Sequence, residues 1–273
     1  MSRRLFCSIS PMCYKISEKK EFLLKDIKDF VRHYNFANDY QTEKYPIVIK
    51  KHFSLIVRKL HGVDIKIQKR KRTNIEIACN KINGIIIKPG ETFSFWKLVG
   101  KPSKENGFEK ALVISASGFG GGYGGGLCQM ANMIHYLVLH SPLEVIEMHH
   151  HSDCLFPDYK RRVPFGTGTS VCYKSLDYRF RNNTSQNVSI NVWIEGEYLH
   201  GELRALHDIP YRYKLVEENH HYHKENDKYY RISQIYREKI DKKTKELLER
   251  ELILNNHSGV MYDYSLIPKE EIR

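Results

Sequence analysis

The sequence has no long apolar run. Uninterrupted apolar stretches stop at four or five residues, far short of the roughly 20 a membrane-spanning helix needs, so no spanning segment is expected. No secretory leader is visible either: MSRRLFCSISPMCYKISEKKEF has early arginines but no apolar core ahead of Lys15 and Lys19, which makes the cytoplasm the expected compartment. No C-x-x-C pair occurs among the six cysteines (Cys7, Cys13, Cys79, Cys128, Cys154, Cys172). A chain this large does not need staples, so they read as reduced thiols. No internal repeat is visible, and no helix-turn-helix, zinc-finger or RNA-recognition pattern accompanies the short basic run KIQKRKR, so no nucleic-acid partner is expected.

What remains is a globular composition, with 41% apolar and 28% charged residues over 273 positions and a net charge of +12. That excess favours an anionic surface, polymer or small acid as partner. Helical spacing of Phe22, Leu23, Ile27, Phe30 and Val31 predicts a helix over 18–33 whose apolar stripe packs on the rest of the protein. Such Lys-rich helices also lie on membranes; Asp26 and Asp29 on the polar face favour packing. Asn74 is placed to cap a second helix, IEIACNKI, with Ile75, Ala78, Cys79 and Ile82 on one face and Gly84 as its stop. GIIIKPGETFSFWKLVG then reads as strand, Pro89-Gly90 turn and aromatic strand, a hairpin-like unit. LEVIEMHHH alternates as a strand with His149 and His151 on one face, and LDYRF, RNNTSQ and NVSINVWI read as an antiparallel meander. YYRISQIY and ELILNN continue the strand signal into the tail.

The most unusual stretch is GGGYGGGLCQMANMIHYLVLHSP, residues 120–142: six glycines in seven residues, then an amphipathic helix with Cys128 as its second residue. Several readings stay open. Gly120, Gly122 and Gly125 satisfy G-x-G-x-x-G, with Glu144 or Glu147 near the ribose-binding distance, though Leu127-Cys128 rules out a Walker loop. A thiol in the first turn of a helix feels the positive end of the macrodipole, and with His151 as base and Asp177 or Asp153 to orient the ring it would be a nucleophile. A small thiol there is also an ordinary packing residue. Cys128, Cys154, His135, His149 and His151 invite a zinc reading, but the spacing matches none of the strong patterns. His220, His221 and His223 read as solvated surface. No metal or cofactor is expected.

KPGETFSFWKLVG, GGYGGGLCQMANMIHYLVLHSPLEVIE, the pair His149 and His151 before Ser152, PFGTGTSV and LDYRFRNNT resemble, in that order, the signature segments of the VanW family, named from glycopeptide (vancomycin) resistance gene clusters. The resemblance covers about Ile75 to Leu203, in a short, single-module form. It implies an α+β fold, an antiparallel sheet with packed helices and a glycine-rich loop leading into a central helix. The implied division is a helical, basic lead-in over 1–72, a VanW-like core over 73–204 and a β-rich extension over 205–273 packed on that core. Gly124, Gly125, Gly126, Cys128 and Gln129 match the family's central motif, and His151 its most regular histidine. Many members have D-A-T-V where this chain has Gly168-Thr169-Ser170-Val171, which leaves Asp177 as the better orienter. The resemblance therefore implies an accessory protein of glycopeptide resistance or cell-wall metabolism. Two forms of it stay open: a Cys128/His151 hydrolase or acyl transferase acting on an amide of a peptidoglycan-related peptide, with Gly124–Gly126, Gln129 and His149 at the substrate, or a non-catalytic module that binds an anionic wall precursor or a protein partner.

Overall fold

A computed structural model of the chain describes residues 10–57, 65–115, 118–150, 153–154, 157, 163–164 and 166–273. The first half runs α1 (Pro11–Val31), β1 (Asp39–Tyr40), β2 (Ile47–Leu55), α2 (Ile65–Lys69), α3 (Lys71–Ile82), β3 (Ile85–Ile87), β4 (Thr92–Ser94) and α4 (Phe95–Val99). A hairpin of β5 (Lys110–Ser115) and β6 (Gly118–Tyr123) leads into α5 (Leu127–Leu139), followed by β7 (Glu144–Glu147), β8 (Asp153–Cys154) and β9 (Arg179–Arg181). Five strands complete the chain: β10 (Val188–Glu195), β11 (Tyr198–Ala205), β12 (Tyr211–Glu225), β13 (Lys228–Asp241) and β14 (Leu247–Val260). The fold is α+β.

Four sheets form, ordered β1-β3-β10-β11-β2, β12-β13-β14-β8, β4-β9-β7 and β5-β6. The long ladders are antiparallel; β8 joins β14 in parallel. The core lies where α3 and α5 cover one face of the five-stranded sheet. Ile75, Ala78, Cys79 and Ile82 are buried on the inner face of α3, as their spacing predicts. Met130, Ala131, Ile134, Leu137 and Val138 of α5 meet them, and Val188, Ile190 and Val192 of β10 supply the sheet side at alternate positions. Burying each such aliphatic side chain contributes about 1.5–3 kcal/mol.

Three expectations about capping and strand pairing change. Asn74 does not cap α3, which begins a turn earlier at Lys71; Asn74 is fully buried inside the helix. Its amide donates to the carbonyls of Glu109 (3.0 Å) and Gly125 (2.9 Å) and accepts from the Glu109 N–H (2.8 Å). The segment around Pro89-Gly90 is not a hairpin, because β3 pairs with β1 and β10 while β4 pairs with β9 in another sheet. Ser94 instead caps α4, accepting from the Lys97 N–H, and pulls Phe95 out of the strand. Likewise β9 and β10 do not pair with each other. The Asn182 side chain, which donates to the Ile87 and Gln186 carbonyls, carries the chain from the small sheet into the large one.

Replacing Asn74 by alanine strands two buried carbonyls and one N–H together. Asn74→Ala should lower unfolding free energy by about 2–4 kcal/mol, seen as an earlier urea midpoint with unchanged slope. A shift under about 0.5 kcal/mol, the range of a neutral surface change, would contradict the clamp.

Candidate functional site

The glycine segment is half strand and half turn. Gly120, Gly121 and Gly122 lie in β6 opposite Val113, Leu112 and Ala111 of β5, so the expected loop is shorter than the sequence suggests. The turn itself is Gly124–Gly126, with φ of +93° at Gly124 and +99° at Gly126, a region that side chains rarely adopt. A Cβ on Gly125 would sit 2.6 Å from the Leu112 carbonyl oxygen and 2.8 Å from the Ala111 carbonyl carbon. Absence of side chains thus lets the turn lie directly on the β5 backbone. The dinucleotide reading fails on topology, since it needs a parallel βαβ unit and here an antiparallel hairpin precedes α5 while β7 enters a different sheet.

Gly126 immediately precedes α5, so Cys128 is the helix's second residue, as expected. Its Sγ lies 3.6 Å from the Val171 carbonyl oxygen, which can only accept, so the contact belongs to the neutral S–H. The residue is half-buried and packed against the core. Burial pushes the thiol pKa up from its ordinary value, outweighing the backbone groups of Val171 and of Cys128 itself that pull it down; Cys172 adds to the rise. Desolvation wins over the helix start. Next to it, Gln129 turns away from the glycines: its Nε2 donates to Ser54 Oγ (3.0 Å) and the Leu55 carbonyl (2.9 Å), tying α5 to the end of β2.

Residues 168–171, where this chain departs from the D-A-T-V pattern, form a strap between α5 and His149. The Thr169 N–H donates to Asn132 Oδ1 (2.6 Å), the His149 N–H to Thr169 Oγ1 (3.2 Å), and the Ser170 N–H to the His149 carbonyl (2.7 Å). The structure therefore brings Cys128 and the His149 backbone to the same strap. β7 ends at Glu147, so strand alternation does not carry through the histidines; His151 lies outside the described residues. The His149 ring faces Glu147, with Nε2 3.1 Å from Oε1. Burial alone would raise the Glu147 carboxyl, but hydrogen bonds from His149, Lys25 and the Asp177 N–H outweigh it and hold the pKa below its ordinary value.

Asp177 has a different occupation from the one expected. It is buried and accepts from Ser94 Oγ (2.6 Å), the Trp96 N–H (3.1 Å), the Tyr178 N–H (2.9 Å) and Arg179 Nε (2.7 Å). A carboxylate offers about four acceptor positions, so none is left for a histidine ring. Arg179 continues the network with a two-pronged bond to Asp29 of α1, 2.5 and 2.9 Å. Sequence reading missed Asp29, Glu147 and Arg179 as a unit; the inward position of Arg179 in LDYRF was the available signal. Of the histidines in the zinc reading, His135 and His149 are engaged elsewhere. His135 is buried against the Tyr178 hydroxyl (3.1 Å), and among the described residues no three His, Cys, Asp or Glu side chains converge on one metal position.

Beside the glycine hairpin lies an open cleft of about 400 Å³, lined by Arg70, Lys104, Phe108, Glu109, Lys110 and Tyr123. Three cations face one carboxylate there, and Glu109 is within reach of Thr73 Oγ1 at 3.4 Å. The basic run KIQKRKR, for which no nucleic-acid partner is expected, supplies Arg70 to one wall of this cleft.

Residues 70–204 match the family model described as VanW like protein. The chain is 29% identical over 201 residues to the vancomycin B-type resistance protein VanW of Enterococcus faecalis, covering 74% of this chain and 73% of that one. This chain belongs to the VanW family. It is also 28% identical over 127 residues to YoaR of Bacillus subtilis, 45% of this chain and 39% of that one. No solved structure matches. The VanW match takes in the Asn74 clamp, the glycine turn, Cys128 and the strap, while α1 and β12 to β14 lie outside it.

His135 in α5 and His140 just after it give the VanW domain a pH signature. Burial lowers the pKa of His135 to about 3 and that of His140 to about 4, against about 6.5 unfolded. A depressed histidine is neutral in the fold and takes up a proton only on unfolding, so stability present above pH ~6.5 is lost as pH falls toward 4. Urea unfolding should give a free energy about 4 kcal/mol lower at pH 5 than at pH 7.5. His135→Gln/His140→Gln should flatten that dependence; equal wild-type stability at both pH values would contradict the burial of neutral rings.

Proposed function

We propose that this VanW-family protein is an accessory factor of glycopeptide resistance or cell-wall metabolism that works by binding, holding a soluble anionic peptidoglycan precursor in the cleft beside the glycine hairpin. The observation that carries the reading is the grouping of Arg70, Lys104 and Lys110 around one cleft, with Phe108 and Tyr123 as its apolar walls. Cations at the rim attract phosphate or carboxylate, and aromatic faces take the less polar part of a ligand. β6 contributes Gly120 and Gly121, where no atom lies within 4 Å of a Cβ position, so a ligand can approach the strand backbone there. Net charge of +12 raises the encounter rate with such a ligand.

The catalytic alternative keeps Cys128 as nucleophile, His151 as base and an amide of a wall peptide as substrate, with the acyl group passed to water or to an amine. The position of the thiol in the first turn of α5 favours it. Its raised pKa, and the saturation of Asp177, weigh toward binding without cleavage.

Calorimetric titration with a nucleotide-linked muramyl peptide separates them. Wild type and Cys128→Ala should bind alike and leave the peptide intact by mass spectrometry. Arg70→Ala/Lys110→Ala should weaken binding by about tenfold or more, equivalent to about 1.4 kcal/mol, and added salt should weaken the wild type in the same direction. Cleavage of the peptide that disappears in Cys128→Ala, or binding indifferent to the two cations, would overturn the proposal.

A further inference from the structure

Helix α1 is built with its charges inward. Lys25 pairs with Glu147 (2.9 Å), Asp26 with Lys174 (3.2 Å) and Asp29 with the buried Arg179 guanidinium. Phe22 sits edge-on to Tyr173 on the same side. These contacts come from one side of the helix, and they fix its rotation. The sequence expectation was the reverse, an apolar stripe packed inward with Asp26 and Asp29 facing water. Met12, Ile16, Leu23, Ile27, Phe30 and Val31 instead project outward, and Phe30 is 78% exposed, Met12 72% and Val31 65%. At about 100° per residue these six fall within roughly 100° of arc, a stripe along a helix of 21 residues that only Lys20 interrupts between Ile16 and Leu23.

We propose that α1 is a membrane-surface helix, lying in the plane of an anionic lipid bilayer with this stripe among the acyl chains. Charge selects the occupant. Lys19, Lys20 and Lys28 are exposed along the stripe and Arg32 stands exposed at the helix end, opposed among the described side chains by one exposed carboxylate on the outer side, Glu21. Cations bordering an apolar stripe match acidic headgroups above acyl chains. A second copy of this chain would bring the same cations face to face with their own kind, at a cost in desolvation and repulsion. Crossing the bilayer is a different matter: no helix among the described residues is long and apolar enough for that. The inference is independent of what the cationic cleft binds, because it rests on α1 alone.

Sedimentation of the full chain with vesicles tests it, using phosphatidylcholine alone and phosphatidylcholine mixed with phosphatidylglycerol. The wild type should pellet with the anionic vesicles and stay in solution with the neutral ones. Leu23→Asp/Ile27→Asp/Phe30→Asp should lose binding on the order of tenfold or more, and Lys19→Gln/Lys20→Gln/Lys28→Gln several-fold. Because all six positions are exposed, both variants should keep the wild-type circular dichroism and melting temperature, which separates lost binding from lost folding. Absence of binding to anionic vesicles, equal binding to neutral ones, or a dimer by light scattering that the triple aspartate variant dissociates would overturn the proposal.

Discussion

The carbonyl of Gly125 accepts a hydrogen bond from Asn74, a side chain buried in the first turn of α3, and the start of α5 depends on that contact. The same amide holds both backbone groups of Glu109 where β5 begins. One side chain therefore ties together a helix, the first strand of a hairpin and the turn that ends it. A donor at that position is useful only if the turn can come close, and the close approach of Gly125 to Ala111 and Leu112 leaves no room for a Cβ. The glycines and the buried asparagine are two halves of one constraint. From it follow the direction of α5, the neutral thiol resting on the strap, and the placement of Lys110 and Tyr123 at the cleft.

A second constraint acts at the other end of the domain. Arg179 is almost fully buried, and a guanidinium in that setting needs carboxylates on several sides. Asp177 meets it from the segment just before β9 and Asp29 from α1, while Glu147 lies 3.4 Å away. Satisfying one buried cation thus recruits a helix from outside the family-matched residues. It also decides which way that helix faces, because the buried acid and the apolar stripe lie on different sides of α1. Ionic demand in the core leaves hydrophobic surface outside. Removing Asp29 would leave Arg179 short of a partner in a dry site, so the rotation of α1 is strongly held.

Much of this architecture is legible in the sequence, and the rest is not, for physical reasons. Periodicity finds α3 and α5 because their buried positions recur at helical spacing, and it finds β10 because Val188, Ile190 and Val192 alternate. Pairing is not periodic: nothing local in GIIIKPGETFSF says that its two strands enter different sheets, since β1, β9 and β10, distant in sequence, decide it. The α1 helix is legible as a helix but not in its rotation, because a stripe of leucine and phenylalanine normally outweighs two aspartates and the presence of a buried Arg179 is invisible from residues 11–31. Family resemblance located the glycines, Cys128 and Gln129. It could not say that Gln129 is spent on Ser54 and Leu55, nor that Asp177 is saturated, since each depends on neighbours brought in by the fold.

The proposed binding role rests on Cys128 being a neutral thiol held by packing against the strap rather than a nucleophile. Its ionisation can be read directly from the Cβ carbon resonance in protein labelled with ¹³C at cysteine, followed from neutral to alkaline pH, with Cys128→Ala to assign the signal. The signal should stay at the thiol position through neutral pH and move only above the ordinary free-thiol value of about 8.5. A Cys128 resonance already at the thiolate position at pH 7 would contradict the claim and restore the nucleophile.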